Sequence, residues 1–455
     1  MSDNAELLGY KAKEAFDASQ LLESTQRSNA LLAIRDELQH RKEEVYAANE
    51  RDLKEAATLV EQGKLSAPSM RRLALNNDTK FNGIIQSLEE IASLDDPNDK
   101  ISYAVELDDE LELYRVACPI GVLLVIFESR PEVVVNVAAL SIKSGNAAIL
   151  KGGKESKHTS QILNSVIQEA LKSRTQLLPH LIQTINTRDE VSSLLHLDKY
   201  IDLVVPRGGK ALVQSIKENS RIPVMGHADG ICSVYVDQFA DLNKAVRVVV
   251  DSKTDYPSVC NATETLLLHR SQLSNLDTIA LALLKNKNPV TMHCDQTSFE
   301  NISKDVHQQF SSQLLLSTDT DYHTEWLDYE ISVKVVDSIN EAIVHVNTHG
   351  SHHTDCIVTE NSTNKNTWMK GVGSAGCYVN VSTRFADGFR YGFGAEFGVA
   401  TGKTHARGPV GLEGLVIYKY ILRSIADNGH IVGEFGEGGK SFTHNAITDN
   451  RQPWY

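Results

Sequence analysis

The chain has 455 residues, a formal net charge of −14 and 41% hydrophobic residues. This length exceeds what one compact core usually supports, so two or three domains are expected. The acidic balance disfavours nucleic acid and anionic membranes as partners, because both carry negative charge. The first residues are acidic where a signal or transit peptide is basic, and no apolar run is long enough to cross a bilayer. The sequence therefore predicts a soluble cytoplasmic protein.

The first hundred residues have a helical pattern. Apolar residues recur at helix-like spacing among charged ones, as in the stretch 31–48, and glycine and proline are few. Two strand-like stretches follow, 101–107 and 111–116, on either side of the acidic turn 108–110. They predict a β-hairpin, which could equally be an ordinary surface hairpin or an arm that bridges subunits.

From residue 120 onwards strands and helices alternate, which is typical of a parallel sheet. The predicted strands are 121–127, 147–150, 181–185, 201–205 and 232–236, and the predicted helices are 133–143, 161–171 and 209–216. This order predicts a doubly wound α/β domain of the dinucleotide-binding type. Such sheets bind ligands at the carboxyl ends of their strands, so the residues just after each strand matter most.

Three loops that follow these strands suit phosphate: 128–131, 151–155 and 206–210. Each contains Arg or Lys and precedes a predicted helix, whose unpaired N–H groups and dipole favour an anion. For any single loop, an ordinary helix-start turn with solvated side chains explains the pattern as well. Their recurrence at successive strand ends favours phosphate binding. No G-x-G-x-x-G follows the first strand, so a dinucleotide would be bound differently from the usual Rossmann motif.

Cys260 is the strongest candidate for a catalytic residue. It lies in the polar stretch 256–265, just before the apolar run 266–268. A thiolate can take an acyl group from a reactive substrate and hold it as a thioester. A partly exposed turn at the end of an element favours a lowered thiol pKa, because backbone N–H groups stabilise the thiolate. The alternative is a free cysteine that only fills space.

Other motifs in the chain are weaker. The remaining five cysteines show no zinc or redox spacing, so six reduced thiols are predicted. Residues 398–404 resemble a P-loop, but the glycines are one residue too close and no strand precedes them. His349, His352 and His353 cluster within 348–355, which suggests a metal; a loop leading into the strand 356–358 explains them equally well. No metal site is predicted.

A series of spaced motifs resembles the gamma-glutamyl phosphate reductase (glutamate-5-semialdehyde dehydrogenase) family of the aldehyde dehydrogenase superfamily. The resemblance runs in order from the N-terminal helices to about Tyr420. The motifs are FESRP at 127–131, SGNA at 144–147, KGGKE at 151–155, GHADGIC at 226–232, the Cys260 segment, STRFADG at 382–388 and HARGPVGLEG at 405–414.

The resemblance implies an aldehyde dehydrogenase-like α/β fold. A Rossmann-type NADP-binding domain would comprise residues 1–100 and 119–252, and an α/β catalytic domain would comprise 253–404. A small β oligomerisation element would comprise 101–118 and 405–425, and a C-terminal tail would follow at 426–455. The implied reaction reduces L-glutamyl 5-phosphate with NADPH to L-glutamate 5-semialdehyde and releases phosphate, the second step of proline biosynthesis from glutamate.

The resemblance also implies roles for single residues, with Cys260 as the nucleophile. The implied substrate-binding residues are Ser129, Arg130, Asn136, His227, Asn261 and Arg384. The implied cofactor-binding residues are Lys151, Gly152, Lys154, Pro206, Arg207, Gly208, Gly209 and Glu325.

Several of these roles leave alternatives open. Asn136 or Asn261 would supply a side-chain amide to the developing oxyanion, together with the backbone N–H of Cys260. The arginines would take the substrate's carboxylate and phosphate, in an order the sequence leaves open, or would hold loops together. His227 would orient the substrate or be structural, and Glu325 would hold the nicotinamide ribose or be a surface acid.

Two departures from the wider superfamily refine the implied reaction. Hydrolytic aldehyde dehydrogenases carry a water-activating Glu where this chain reads PVMGH at 223–227. Its absence favours acyl-phosphate reduction, because hydrolysis of the thioester would only waste it. Lys154 stands where many NAD-using relatives have an acid that holds the adenine ribose, so a preference for NADP is predicted.

Two alternative functions remain open at this point. One is an aldehyde-oxidising dehydrogenase for another substrate, and the other is a non-catalytic binding or scaffold protein that has kept the fold. No kinase-like segment is evident, so a glutamate 5-kinase that makes the acyl phosphate would be a separate chain, and contact with it is a hypothesis. A homo-oligomer that uses NADP(H) is expected.

Overall fold

The computed structural model describes residues 3–128, 130–448, 451 and 453–454. Its α-helices are, in chain order, α1 (Asp3–Ser19), α2 (Ser24–His40), α3 (Lys42–Glu61), α4 (Ala67–Leu73), α5 (Asp78–Ser93), α6 (Val133–Lys143), α7 (Lys157–Arg174), α8 (Arg188–Leu194), α9 (Lys210–Asn219), α10 (Leu242–Thr254), α11 (Leu276–Leu284), α12 (Gln296–Asn301), α13 (Lys304–Gln309), α14 (Ile339–His349) and α15 (Ser362–Gly371). Among the described residues, no helix combines the length and the apolar character that crossing a bilayer requires.

The β-strands also follow the chain order. They are β1 (Ile101–Asp108), β2 (Leu111–Pro119), β3 (Val122–Phe127), β4 (Ala147–Lys151), β5 (Ile182–Ile185), β6 (Leu203–Arg207), β7 (Cys232–Val236), β8 (Thr263–His269), β9 (Thr291–Cys294), β10 (Leu314–Leu316), β11 (Glu330–Val336), β12 (Thr354–Val358), β13 (Gly376–Val379), β14 (Gly398–Ala400), β15 (Gly408–Val410), β16 (Val416–Ser424) and β17 (Asn445–Ala446).

The chain forms two compact units. The first contains the residues up to 206, the short segment 219–224 and the residues from 411 onwards. The second contains residues 207–218 and 225–410. The first unit carries the N-terminal helices, as the sequence predicted. In α2 the apolar face is buried, and Asn77 caps α5 by accepting a hydrogen bond from the Lys80 N–H.

The first unit contains a sheet in the order β5-β4-β3-β6. β3 pairs in parallel with β4, and β4 pairs in parallel with β5. Every residue of β3 is buried, as expected for a strand of a parallel sheet that is covered on both faces. The helix between β3 and β4 has the predicted bounds, so the alternation of strand and helix in this part of the chain is confirmed.

A second sheet of the first unit has the order β16-β2-β1-β17. β1 and β2 form the predicted antiparallel hairpin, and β16 pairs with the whole length of β2, from Val416 opposite Pro119 to Ser424 opposite Leu111. Two segments that lie far apart in the sequence thus share one sheet. The role of this element in oligomerisation stays a prediction.

The second unit is built on a sheet in the order β10-β9-β11-β8-β7-β12-β13. The strand pairs in it are parallel. The sequence analysis placed the strand 232–236 in the cofactor-domain sheet, and that placement is wrong: β7 lies between β8 and β12. All five residues of β7 are buried, and a short apolar run of this kind does not indicate which of two sheets will receive it.

Candidate active site

Cys260 lies in a turn just before β8, as predicted. Its backbone packs closely against Gly230, which precedes β7. A Cβ atom on Gly230 would lie 2.0 Å from the carbonyl oxygen of Cys260 and 2.4 Å from its Cα, so only glycine fits there. The side chain of Cys260 is half-buried, and its thiol is free, as are the other five.

The imidazole of His353 contacts the thiol of Cys260. The distance from Sγ to Nε2 is 3.2 Å, and the other ring nitrogen, Nδ1, is hydrogen-bonded to Oγ1 of Thr354 at 2.9 Å. His353 immediately precedes β12, and its side chain is buried. Because β8, β7 and β12 are adjacent and parallel, their amino ends meet at one edge of the sheet. This edge brings the thiol and the imidazole together.

The sequence analysis missed this pair. It treated His353 as part of a loop with His349 and His352, and it assigned no partner to Cys260. A signal was nevertheless present, because Cys260 and His353 each precede a short apolar run. The structure also separates the three histidines: His349 ends α14 and contacts His323, with 2.9 Å between Nδ1 and Nε2.

A second imidazole, that of His227, lies against His353. The two rings meet edge to face with 5.5 Å between their centroids. Nδ1 of His227 is 3.1 Å from the carbonyl oxygen of Val399. Since a carbonyl oxygen only accepts, Nδ1 carries the proton and Nε2 carries the lone pair. The predicted role of His227 toward the substrate stays a prediction.

Burial controls the protonation of this cluster. It raises the pKa of the Cys260 thiol to about 12, and the carboxylates of Glu396 and Glu325 add to the effect. It lowers the pKa of His353 to about 3, and it also lowers the pKa of His227. The predicted lowering of the thiol pKa by the turn is wrong, because desolvation outweighs the backbone N–H groups. The resting pair is a neutral thiol beside a neutral imidazole.

Arg384 and Asn261 are linked beside Cys260. Nη1 of Arg384 donates to Oδ1 of Asn261, and Nε donates to Asp255 across 3.1 Å. The amide nitrogen of Asn261 donates to the carbonyl of Ala386 at 2.8 Å. The guanidinium is thus held rigidly next to the thiol-bearing turn. Its predicted contact with an anionic substrate group, and the oxyanion role of Asn261, stay predictions.

Glu325 is hydrogen-bonded to Gly230, the residue that packs against the backbone of Cys260. Oε1 of Glu325 accepts a hydrogen bond of 2.9 Å from the Gly230 N–H, and burial raises the pKa of the carboxyl group. Nearby, Lys210 forms an ion pair of 2.8 Å with Asp229. The structure thus places Glu325 beside the glycine that packs against Cys260, while its role toward the nicotinamide ribose stays a prediction.

In the first unit, two of the residues predicted to bind the cofactor, Gly152 and Lys154, border a cavity of about 250 Å³. Its lining includes Gly152, Lys154, Lys157 and Ser160. A Cβ atom on Gly152 would lie 3.1 Å from Oγ of Ser160, so the glycine keeps the cavity open. Oγ of Ser160 is buried and has no hydrogen-bond partner within the described part of the chain. The binding of a cofactor in this cavity stays a prediction.

The other predicted cofactor residues follow two strands. Lys151 ends β4, and burial lowers its pKa. Pro206 and Arg207 end β6, and Gly208 and Gly209 connect that strand to α9. These residues lie at the carboxyl ends of β4 and β6 or just after them, and their contact with a cofactor stays a prediction.

The remaining predicted substrate residues lie in the first unit. Asn136 is part of α6, accepts a hydrogen bond of 3.3 Å from Ser87 and lines a cavity of about 190 Å³. Arg130 is exposed just before that helix. Ser129 lies outside the described residues.

Comparison with known proteins identifies the class. The model of the aldehyde dehydrogenase family matches residues 2–287. The chain therefore belongs to the aldehyde dehydrogenase family, and it is an oxidoreductase whose fold implies a nicotinamide cofactor. The predicted aldehyde dehydrogenase-like fold is confirmed.

More particular likenesses lie within that family. The chain is 47% identical over 440 residues to a "Probable gamma-glutamyl phosphate reductase" of Schizosaccharomyces pombe, with 96% of each chain covered. It is 44% identical over 440 residues to the gamma-glutamyl phosphate reductase of Acetivibrio thermocellus, with 97% of each covered. The crystal structure of gamma-glutamyl phosphate reductase from Thermotoga maritima matches with a TM-score of 0.86 and 34% identity, covering 93% of this chain and 99% of that one. The resemblance predicted from the motifs is confirmed.

Proposed function

We propose that this protein reduces L-glutamyl 5-phosphate to L-glutamate 5-semialdehyde with NADPH and releases phosphate. This is the second step of proline biosynthesis from glutamate. The observation that carries the proposal is the Cys260–His353 contact of 3.2 Å in a chain whose relatives bear the name of this reaction. A half-buried thiol beside an imidazole that can take its proton suits attack on an acyl phosphate.

The first half of the reaction is acyl transfer to Cys260. As the sulfur attacks the acyl carbon, the thiol proton passes to Nε2 of His353. The bond between the acyl carbon and the phosphate oxygen then breaks, and phosphate leaves with that proton. Transient charge on the imidazole is tolerated because Thr354 is hydrogen-bonded to Nδ1 and because negative charge develops next to it on the substrate.

The second half releases the aldehyde. A bound reduced nicotinamide supplies the hydride for the thioester carbon. In this proposal the backbone N–H of Cys260 donates to the oxyanion that develops there, with a side-chain amide as a second donor. When the carbon–sulfur bond breaks, Cys260 is left as a thiolate and regains a proton through His353 from solvent.

Water has to be kept inactive while the thioester exists. The carboxylates that act on Cys260 electrostatically are already engaged: Glu325 accepts the Gly230 N–H, and Glu396 accepts the Gly388 N–H at 3.1 Å. The lack of the superfamily's water-activating Glu, in whose place this chain reads PVMGH at 223–227, supports the acyl-phosphate reaction over oxidation of a simple aldehyde, the alternative left open by the sequence.

NADP(H) is the cofactor that the cavity of the first unit favours. Lys154 and Lys157 border it, and two cations there would favour a ribose that carries a 2′-phosphate. We also propose that the protein acts in the cytoplasm as a homo-oligomer, with its substrate made by a separate glutamate 5-kinase. The apolar side chains of Ile417, Tyr418 and Leu422 are exposed on β16, which supports association through that strand.

The proposal is tested in the reverse direction. Reduction of NADP by glutamate 5-semialdehyde is followed with and without phosphate, in the wild type, in Cys260→Ser and in Cys118→Ser as a matched thiol control. We expect phosphate-dependent turnover in the wild type and the control, and loss of turnover in Cys260→Ser. Turnover that is independent of phosphate, or full activity in Cys260→Ser, contradicts the proposal.

A further inference from the structure

The thiol and the two imidazoles around it form a set of three metal-ligand atoms. One ring nitrogen of His227, Sγ of Cys260 and one ring nitrogen of His353 all lie within 4.8 Å of one another. With Zn–S near 2.3 Å and Zn–N near 2.0–2.1 Å, tetrahedral coordination needs donor atoms roughly 3.3–3.6 Å apart. The contact of 3.2 Å between Cys260 and His353 is already close to this spacing. A shift of about 1 Å in the His227 ring would complete the set.

Both imidazoles are also oriented as metal ligands usually are. A histidine ligand commonly uses its second ring nitrogen to hydrogen-bond a carbonyl or another oxygen, which fixes the ring and its tautomer. Nδ1 of His227 donates to the Val399 carbonyl, which leaves the Nε2 lone pair available. Nδ1 of His353 is bonded to Thr354, and its Nε2 faces the sulfur. The ring of His353 therefore does not have to turn over to present a lone pair to an ion beside the sulfur.

We propose that His227, Cys260 and His353 bind Zn²⁺ or a similar thiophilic divalent cation, and that the bound ion inhibits the enzyme by occupying the catalytic thiol. On binding, the S–H bond of Cys260 breaks, a Zn–S bond forms and the proton leaves to the buffer, so no oxidant or reductant is needed. One coordination position remains for water. The inhibition rests on the proposed function, whereas the binding does not.

The donor set selects the class of ion. One thiolate and two imidazoles are soft and borderline ligands, which suit Zn²⁺ and Cd²⁺, whereas Mg²⁺ and Ca²⁺ prefer oxygen donors. His227 and Cys260 are each partly exposed, so solvent reaches the set. We therefore expect the site to bind Zn²⁺ and to show no binding of Mg²⁺ at millimolar concentrations.

The binding is measured on the resting protein without substrate. Zn²⁺ is titrated by calorimetry, and Co²⁺ is used as a spectroscopic probe whose thiolate charge-transfer band reports a cobalt–sulfur bond. The variants are Cys260→Ser, His227→Gln and His353→Gln. We expect one tight Zn²⁺ site in the wild type and a weakening of more than about 100-fold in each variant, since even outer-shell changes typically cost 10–100-fold. The cobalt–sulfur band should vanish in Cys260→Ser.

The matched control is His349→Gln, because His323, His345 and His349 form a separate cluster of imidazoles that contact one another. We expect this variant to keep the tight site and the cobalt–sulfur band. Unchanged Zn²⁺ affinity in Cys260→Ser, or loss of the tight site in His349→Gln, overturns the proposal. Zn²⁺ should also protect Cys260 from alkylation by iodoacetamide, read by peptide mass spectrometry.

The outcomes separate the metal site from the proposed reaction. A protein that binds Zn²⁺ through Cys260 but does not reduce the acyl phosphate refutes the reaction and keeps the site. A protein that turns over but shows no cobalt–sulfur band refutes the site and keeps the reaction. In an active enzyme, inhibition by Zn²⁺ should be reversed by EDTA.

Discussion

The sulfur of Cys260 lies 3.2 Å from Nε2 of His353, although 93 residues separate them in the sequence. Because the resting thiol holds its proton, attack on the substrate requires a nearby acceptor, and His353 is in contact with it. We therefore expect His353→Gln to lower kcat by about 100-fold or more, the usual contribution of a positioned acid–base group. The measurement is steady-state turnover together with the alkylation rate of Cys260, which should fall as well.

The control for this prediction is His352→Asn. His352 has a φ of 60°, a region that Asn tolerates, and it neighbours His353 in sequence. We expect it to retain most of the activity. If His353→Gln keeps a wild-type kcat while its fold is intact by circular dichroism, His353 is not the proton acceptor.

The close approach of Gly230 to Cys260 makes a second prediction. In Gly230→Ala the new methyl would meet the Cys260 backbone at 2.0 Å and displace the thiol-bearing turn. Overpacking of this kind typically costs about 1–3 kcal/mol of stability, and we expect a loss of kcat beyond it. Gly402→Ala, whose Cβ meets no atom of the described residues within 4 Å, should behave like the wild type in thermal unfolding and in turnover. Equal behaviour of the two variants would count against this role of Gly230.

The cavity beside Gly152 makes a third prediction, on cofactor choice. Removing the charge in Lys154→Gln should reduce the preference for NADPH over NADH by about 10–100-fold, since a charged hydrogen bond contributes about 1.5–3 kcal/mol. The measurement is the ratio of kcat/KM for the two cofactors. Lys172→Gln, near the other end of α7, serves as the control. A preference that survives in Lys154→Gln would assign the selection to other residues.

The buried ion pair of Lys253 and Glu264 makes a fourth prediction, on stability. Their charged atoms lie 2.6 Å apart, and both side chains are fully buried. Lys253→Met would leave the carboxyl group without its partner, and we expect the free energy of unfolding to fall by about 3–5 kcal/mol. Lys244→Met breaks the exposed pair with Glu360 and should cost about 1 kcal/mol or less. Denaturant unfolding measures both.

The loss in Lys253→Met should depend on pH. In the wild type, burial raises the pKa of Glu264 from 4.5 to about 7. The charge of Lys253 and its hydrogen bond to Glu264 limit this rise. Without Lys253 the folded carboxyl keeps its proton over a range where the unfolded one has lost it, so stability falls as the pH rises through that range. The variant should therefore be closer to the wild type near pH 5 than near pH 8. An equal loss at both values would contradict this account.

Much of the fold follows from local patterns in the sequence. The helical first hundred residues, the hairpin β1–β2 and the helix Val133–Lys143 each carry a periodicity that short-range packing preserves. The turn at Cys260 could also be predicted, because a polar stretch precedes an apolar run there. Such local patterns do not specify which strand a given strand pairs with. For this reason the sequence analysis placed β7 in the wrong sheet.

The active-site pair was harder to predict for the same reason. His353 and Cys260 meet only because β7 lies between their strands, and strand order is set by long-range packing. The prediction for the thiol pKa was wrong because that pKa depends on burial and on the charges of Glu396 and Glu325, which are distant in the sequence, whereas the turn itself is local. The Cys260–His353 contact and the pKa of the thiol both depend on contacts between segments that are distant in the sequence. A single sequence contains little information about such contacts.

The register of β7 against β8 and β12 sets rules for redesigning this protein. Cys232 lies opposite Thr263 and Ser233 opposite Asp355, and these pairings orient the turns that carry the thiol and the imidazole. A shift of β12 by one residue against β7 would turn the side chains of that strand toward the opposite face of the sheet and take His353 out of its place beside the sulfur. The surface loop at 285–289, which takes no part in that pairing, should accept extra residues or a fused peptide tag without disturbing the chemistry.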